Sequence, residues 1–123
     1  MKIITAHHDG LGLNDRIRIE AQDEDVNGVP HRFIFSIEAG GLEINAGLVQ
    51  FQKGPRHEDG STPGITTETL LVVLIEMLRG FQDGPYGSRE GALTLTKLEE
   101  ALLWSRVRAT ERAGRGVLGH NKA

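Results

Sequence analysis

The chain has 123 residues, 38% of them hydrophobic and 25% charged, with a formal net charge of −3 at pH 7 and no cysteine. This composition is typical of a globular protein and argues against general disorder, and the near-balance of charge gives no overall attraction to nucleic acid or to an anionic membrane. The lack of cysteine excludes disulfides, Cys-ligated zinc and thiol catalysis. At this length we expect one compact domain over residues 1–123.

The chain starts with MKIITAHHDG, which has no apolar run of signal-peptide length. No later stretch approaches the ~20 apolar residues of a membrane span. Since the chain also contains no cysteine, these features favour an intracellular, reducing compartment.

Residues 1–52 have the alternating pattern of a small antiparallel sheet. The segments KIIT, RIRIE, RFIFSIEA and LEINAGLVQF place apolar side chains on one face. Between two of them, Asn27-Gly28 within DEDVNGVP is typical of a hairpin turn. A sheet with one apolar face needs a covering layer.

Residues 53–65, KGPRHEDGSTPGI, are polar and rich in glycine and proline, so we expect a loop after the sheet. We expect the FQKGP motif to end the last strand and to orient Arg56 and the loop that contains it. A second copy, FQDGP, ends the first predicted helix, and nothing else recurs at this spacing.

Residues 66–114 are predicted to form two antiparallel helices, with residues 115–123 as a tail. Thr66 or Thr67 can cap the first helix and Ser88 can cap the second. The apolar side of this hairpin is the natural cover for the sheet. The predicted fold class is therefore α+β.

The last third of the second predicted helix is rich in arginine. At 100° per residue, Arg108, Arg112 and Arg115 fall near Trp104 and away from the leucine stripe. One explanation is a solvated helix end, where cations suit the helix dipole. The other is an anion site, since guanidinium groups bind phosphate bidentately and stack on bases.

The turn between the helices, GPYGSREG, also has two explanations. Free backbone N–H groups after its glycines, with Arg89 in the first helical turn, could meet a phosphate. Ser88 acting only as an N-cap explains the same pattern. Phe81, just before this turn, either fills the core or offers a stacking face; our hypothesis places it beside the arginine stripe.

No pattern in the sequence indicates catalysis, a metal or a cofactor. His7, His8 and Asp9 are adjacent, so on a strand they point to alternate faces, and no spaced partner follows. Neither an acid/base pair nor a nucleophile elbow is present. The sequence favours binding over catalysis.

Four stretches after Leu48 carry a family resemblance: VQFQKGP, GITTETLLVVLIEMLRGFQDGPY, SREGALTLTKLEEALLW and RVRATERAGRGVLGH. They resemble the phage Thoeris anti-defence sponge proteins of the first class, whose helical hairpin is shared with anti-CBASS cyclic-nucleotide sponges. The sheet half agrees more loosely, through HHDG, DRIRIEAQD, HRFIF and LEIN.

The resemblance implies a protein that sequesters cyclic ADP-ribose isomers of the glycocyclic type, made by bacterial TIR-domain enzymes, in the cytoplasm of the infected host. Some members also hold cyclic oligonucleotides at a separate site. The resemblance further implies a homo-oligomer, dimer or hexamer, with ligand pockets between subunits. At the matching positions, Phe81, Arg108 and Arg112 are expected to grip the purine and the diphosphate.

One departure from the family concerns Gly91. The family pattern C-R-E-N-A reads SREGA here, so a side-chain amide that helps to bind the nucleotide is missing. Losing such a hydrogen bond would cost ~1 to 3 kcal/mol, unless a water or Arg89 compensates. The predicted ligand site comprises Phe81, Arg108, Arg112, Gly91, Arg89 and Arg56, with no metal.

Two other functions remain open at this point. One is a non-catalytic phage structural or protein-interaction module whose arginine helix packs against a partner. The other is a phosphodiesterase that cleaves the same cyclic signal.

Overall fold

The computed structural model of the protein describes residues 1–55 and 58–115. The chain divides into two compact units: Met1–Lys53 with Ser61–Gly64 form the first, which holds the strands, and the second holds the helices. A four-stranded antiparallel sheet followed by two helices confirms the predicted α+β class. A single domain over residues 1–123, and the covering of the sheet by the hairpin, stay predictions.

The sheet is a meander in which each strand pairs with the next. Its strands are β1 (Lys2–Ile4), β2 (Ile17–Glu24), β3 (Pro30–Ala39) and β4 (Leu42–Gln50). The predicted Asn27-Gly28 turn joins β2 to β3, with Gly28 at a φ of 80°. A tighter turn joins β3 to β4, where Gly40 and Gly41 both have positive φ, as a two-residue hairpin requires.

Cross-strand pairs build one apolar face of this sheet. Between β2 and β3 the facing pairs are Ile17 with Ile37, Ile19 with Phe35, and Ala21 with Phe33. On the next strand a bulge at Ala46 brings Ile44, instead of Asn45, opposite Ile37. The extra residue therefore keeps an apolar side chain on the apolar face.

Hydrogen-bonded carboxylates hold the irregular parts of the sheet unit. Asp15 accepts the backbone N–H groups of Asp9 and Gly10 at 3.0 and 3.1 Å, and that of Gly12 at 3.1 Å. These bonds, chiefly the one from Gly10, hold the pKa of Asp15 below its usual range. The loop before β2 is thus tied to one side chain.

The carboxylate of Asp23 also accepts hydrogen bonds, near the C-terminal end of β2. Its backbone is left-handed, with a φ of 59°, and its carboxylate accepts from Lys53 Nζ at 2.7 Å and Gln50 Nε2 at 3.2 Å. The hydrogen bond from Lys53 is the main reason why the pKa of Asp23 is lowered. This contact joins β2 to the chain that follows β4.

The helical unit is an antiparallel hairpin of α1 (Thr67–Gln82) and α2 (Arg89–Gly114). Thr66 Oγ1 accepts the N–H of Thr69 at 3.2 Å and so caps α1. Ile75 and Leu102 are the buried residues of the described hairpin. Among the helices that the structure describes, none is both long and apolar enough to cross a membrane.

We predict that Asp15→Asn lowers the melting temperature at pH 7 and flattens its dependence on pH. Because the pKa of Asp15 is lower in the folded chain than in the unfolded one, its contribution is present above about pH 4 and is lost as the pH falls through the folded pKa. Circular dichroism melts between pH 3 and 7 measure this. Asp59→Asn, at an exposed turn, is the matched control. Superimposable profiles for the two variants would contradict the assignment.

Candidate functional site

The turn between α1 and α2 presents an aromatic pair. Phe81 lies in the last turn of α1 and is 49% exposed, while Tyr86 is 77% exposed. Their ring centroids are 6.4 Å apart with an interplanar angle of 79°, which is an edge-to-face arrangement. The exposure of Phe81 favours the explanation that its ring offers a stacking face over the one that it fills the core.

The turn itself is closed by Gln82. Its Nε2 donates to the carbonyl of Ser88 at 2.9 Å, and its Oε1 accepts the N–H of Ser88 at 3.0 Å. The carboxamide lies directly over Gly91, where an added Cβ would overlap Gln82 Oε1. The space that a side chain at position 91 would fill is therefore occupied by an amide from the other helix.

Most backbone N–H groups in the glycine-rich segment before α2 donate hydrogen bonds within the turn. Gly87 donates to Gly84, Ser88 donates to Gln82, and Gly91 donates to Ser88 Oγ at 2.9 Å. Ser88 is thus the N-cap of α2, as one of the two explanations predicted. The other explanation, free N–H groups for a phosphate, is wrong for these three residues.

Arg89 occupies the first position of α2 and is exposed, and its side chain makes no hydrogen bond or ion pair with any described residue. Its guanidinium is available at the same end of the hairpin as Phe81. Arg56, also predicted for the site, lies outside the described residues.

The arginines of α2 lie toward the opposite end of the hairpin. Arg79 and Glu99 approach to 3.7 Å through two long side chains, and Gln82 bonds Ser88, so Phe81 is level with residue 97 of α2 or with an earlier one. At 1.5 Å per residue, Arg108 is then at least roughly 16 Å, and Arg112 at least roughly 22 Å, further along the axis. Within one chain, the structure does not bring Phe81 beside the arginine stripe, and that hypothesis is wrong for a single subunit.

Arg108 and Arg112 differ in their surroundings. Arg108 is exposed and has no ion-pair partner in the described part of the chain, whereas Arg112 is half-buried. An exposed guanidinium without an internal partner can bind an external anion at little cost in desolvation. Their role in ligand binding stays a prediction.

A groove that the sequence did not indicate runs along the hairpin. It has a volume of about 440 Å³, and its floor includes the buried Ile75 and Leu102. Arg79 and Arg106 lie among its polar residues, as do two glutamates. The Arg79–Glu99 approach at 3.7 Å places these two residues across the groove from each other, a register that counting outward from the turn does not give.

The histidines near the N terminus serve the sheet unit. His7 Nε2 is 2.6 Å from the carbonyl oxygen of Ile17, and the rings of His7 and His8 are in edge contact. Within the described residues, no group of three or more His, Asp or Glu side chains is placed to hold a metal ion.

Residues 45–110, which include α1 and nearly all of α2, match the family model of the Acb2/Tad1 hairpin domain. This range is more than half of the chain. The chain belongs to the Acb2/Tad1 hairpin-domain family. The match confirms the family resemblance seen in the sequence, and both ends of the hairpin, from Phe81 to Arg108, lie inside the matched range.

A relative of this chain is Thoeris anti-defense 1 of Bacillus phage SBSphiJ7. The two are 45% identical over 75 residues, which is 60% of this chain and 52% of that protein. The chain thus spans about half the length of the curated relative that it matches.

We predict that Ser88→Ala lowers the free energy of unfolding by about 1 kcal/mol, because it removes the N-cap of α2. Urea titration followed by circular dichroism measures the change. Ser88→Asp is the control, since aspartate is an equally good N-cap and should unfold like the wild type. An alanine variant as stable as the aspartate variant would contradict a capping role.

Proposed function

We propose that the protein is a phage anti-defence sponge that binds and sequesters a cyclic ADP-ribose isomer of the glycocyclic type, without degrading it. Its signal would come from bacterial TIR-domain enzymes, and its place of action would be the cytoplasm of the infected host. The observation that carries the proposal is the 45% identity over 75 residues to a protein named Thoeris anti-defense 1.

The chemistry of the hairpin supports this ligand class. A cyclic ADP-ribose isomer offers a flat purine and a diphosphate, which need a stacking surface and paired cations. Phe81 offers half of its surface to solvent at one end of the hairpin, and Arg108 is exposed without an internal ion pair among the described residues. Aromatic stacking and bidentate arginine contacts are the matching interactions.

The distance between these two ends supports assembly. A pocket that uses Phe81 and Arg108 together cannot be built by one chain, since at least roughly 16 Å of helix separates their levels. A second copy lying antiparallel would bring the aromatic end of one hairpin to the arginine end of the other. We infer a homo-oligomer, dimer or hexamer, with the ligand between subunits.

Exposed apolar side chains on the hairpin also support assembly into an oligomer. Patches of this kind on a soluble chain mark interaction surfaces, and here they follow both helices. They are Val72, Val73, Met77, Leu93, Leu103, Trp104 and Val107.

A sponge must bind its ligand tightly and needs no catalytic turnover. A ligand of about 35 heavy atoms at ~0.3 kcal/mol per atom yields ~10 kcal/mol, or a Kd of tens of nanomolar. The decisive experiment is titration calorimetry with cyclic ADP-ribose isomers beside cyclic di- and trinucleotides, followed by heating and analysis of the released ligand. Intact ligand supports a sponge, and cleaved ligand supports the phosphodiesterase alternative.

The exposed apolar side chains also favour a second candidate, a protein-interaction module that binds no small molecule. The same titration separates the two. Binding to cyclic oligonucleotides alone would indicate the separate site of the anti-CBASS type, and no binding to any ligand would leave the interaction module.

We predict that Arg108→Glu weakens binding of the cyclic ADP-ribose isomer at least 100-fold and leaves the melting temperature unchanged. The charge reversal places a carboxylate against the diphosphate, and it breaks no ion pair within the described residues. Lys2→Glu makes the same change in net charge at an exposed site of the sheet unit, breaks no ion pair within the described residues, and should bind normally. Retained binding by Arg108→Glu would count against the site.

Mixing two defective chains tests whether the pocket lies between subunits. In a symmetric dimer, a Phe81→Ala chain paired with an Arg108→Glu chain has one site in which both residues are intact. Random pairing should restore about one quarter of the wild-type ligand capacity, measured by calorimetric stoichiometry. A doubly substituted chain mixed with Arg108→Glu provides the control and should restore none. Failure of the first mixture would contradict a shared pocket.

A further inference from the structure

The side chain of Gln82 acts as a clamp across the turn between the helices. Both polar groups of its carboxamide are bonded to one residue, Ser88: Nε2 to the carbonyl at 2.9 Å and Oε1 to the N–H at 3.0 Å. This paired geometry joins the end of α1 to the start of α2. It spans the intervening residues 83–87, which also make backbone hydrogen bonds to α1 and to each other.

Gly91 is explained by this clamp. Glycine is a poor helix former, and Gly91 lies in the first turn of α2 with no positive φ that would call for it. A Cβ at this position would overlap Gln82 Oε1 and approach Ser88 Oγ to 3.0 Å. The glycine therefore provides space for the Gln82 carboxamide.

Tyr86 is the residue whose position depends on the closed turn. Its ring stands edge-to-face against Phe81, with 6.4 Å between centroids, yet 77% of Tyr86 is exposed to solvent. Burial therefore contributes little to holding it. Two aromatic planes at 79° form an open corner, in which a flat base can stack on one ring and meet the other edge-on.

We propose that Tyr86 is a ligand-binding residue that forms an aromatic corner with Phe81 for the purine base of a nucleotide, and that Gln82 is the positioning residue that holds it there. This inference rests on the proposed function, since the base belongs to the ligand captured by the sponge. The Tyr86 hydroxyl adds a polar group at the rim of the corner, within reach of a base edge or a ribose.

The first test compares single variants by titration calorimetry with the cyclic ADP-ribose isomer that the wild type binds. Tyr86→Ala should weaken binding at least 10-fold, and Tyr86→Phe, which keeps the ring, should stay within about 3-fold of the wild type. Gln82→Ala and Gly91→Ala should each weaken binding at least 5-fold, because each opens the clamp.

Double variants separate positioning from general destabilisation. If Gln82 acts only by holding Tyr86, then Gln82→Ala has no further effect on affinity in a Tyr86→Ala background. If Gly91 acts only by leaving space for Gln82, then Gly91→Ala has no further effect in a Gln82→Ala background, where it should raise the melting temperature because alanine favours the helix. Additive losses in either pair would overturn the proposed coupling.

Parallel titration of Phe81→Ala separates this inference from the proposed function. If the wild type binds and Phe81→Ala does not, while Tyr86→Ala binds normally, the aromatic corner is wrong and the sponge stands. If the wild type binds no cyclic ADP-ribose isomer, both are overturned.

Hydrogen exchange gives a readout without ligand: the amide of Ser88 should exchange faster in Gln82→Ala and in Gly91→Ala, and unchanged protection would refute the clamp.

Discussion

Two antiparallel helices can bury only the side chains that face each other, and this constraint governs the helical unit of the protein. In the described hairpin, Ile75 and Leu102 are the buried residues, while other apolar side chains along both helices remain in solvent. The same antiparallel geometry places Phe81 and Arg108 at different levels, since one precedes the turn by two residues and the other follows it by twenty. The apolar surface that the hairpin leaves in solvent is of the kind that marks interaction surfaces.

The sheet unit follows a different principle, because it has little buried apolar volume and uses polar contacts at its irregular points. Ala21 is its fully buried hydrophobic residue among those described. Asp15 ties the loop before β2, Asp25 ties the turn after it through the N–H groups of Val29 and Asn27, and Asp23 reaches Lys53. Each carboxylate has a lowered pKa for this reason, with the Val29 bond dominant at Asp25. Turns are fixed here by backbone hydrogen bonds to side chains.

Local patterns predicted the strands, the helices and the cap at Ser88, because alternation, turn glycines and capping residues act over a few positions. The resemblance predicted the family, which the match over residues 45–110 confirms. The hydrogen bonds between Gln82 and Ser88 could not be predicted from the sequence, because no periodic pattern marks a glutamine side chain that bonds the backbone six residues away. The separation of Phe81 from Arg108 was implicit in the predicted hairpin, but needed its register, which the Arg79–Glu99 contact supplies. The roles of the site residues stay predictions.

The overlap between the Gln82 carboxamide and a Cβ at position 91 also limits the order in which mutations can accumulate. A lineage that starts from this chain can acquire a side chain at position 91 without disturbing the turn only after residue 82 has become shorter. In the reverse direction, a chain with a larger residue at 91 gains nothing from a glutamine at 82 until that residue is reduced to glycine. The two positions therefore form an epistatic pair, and their residues should change together among descendants.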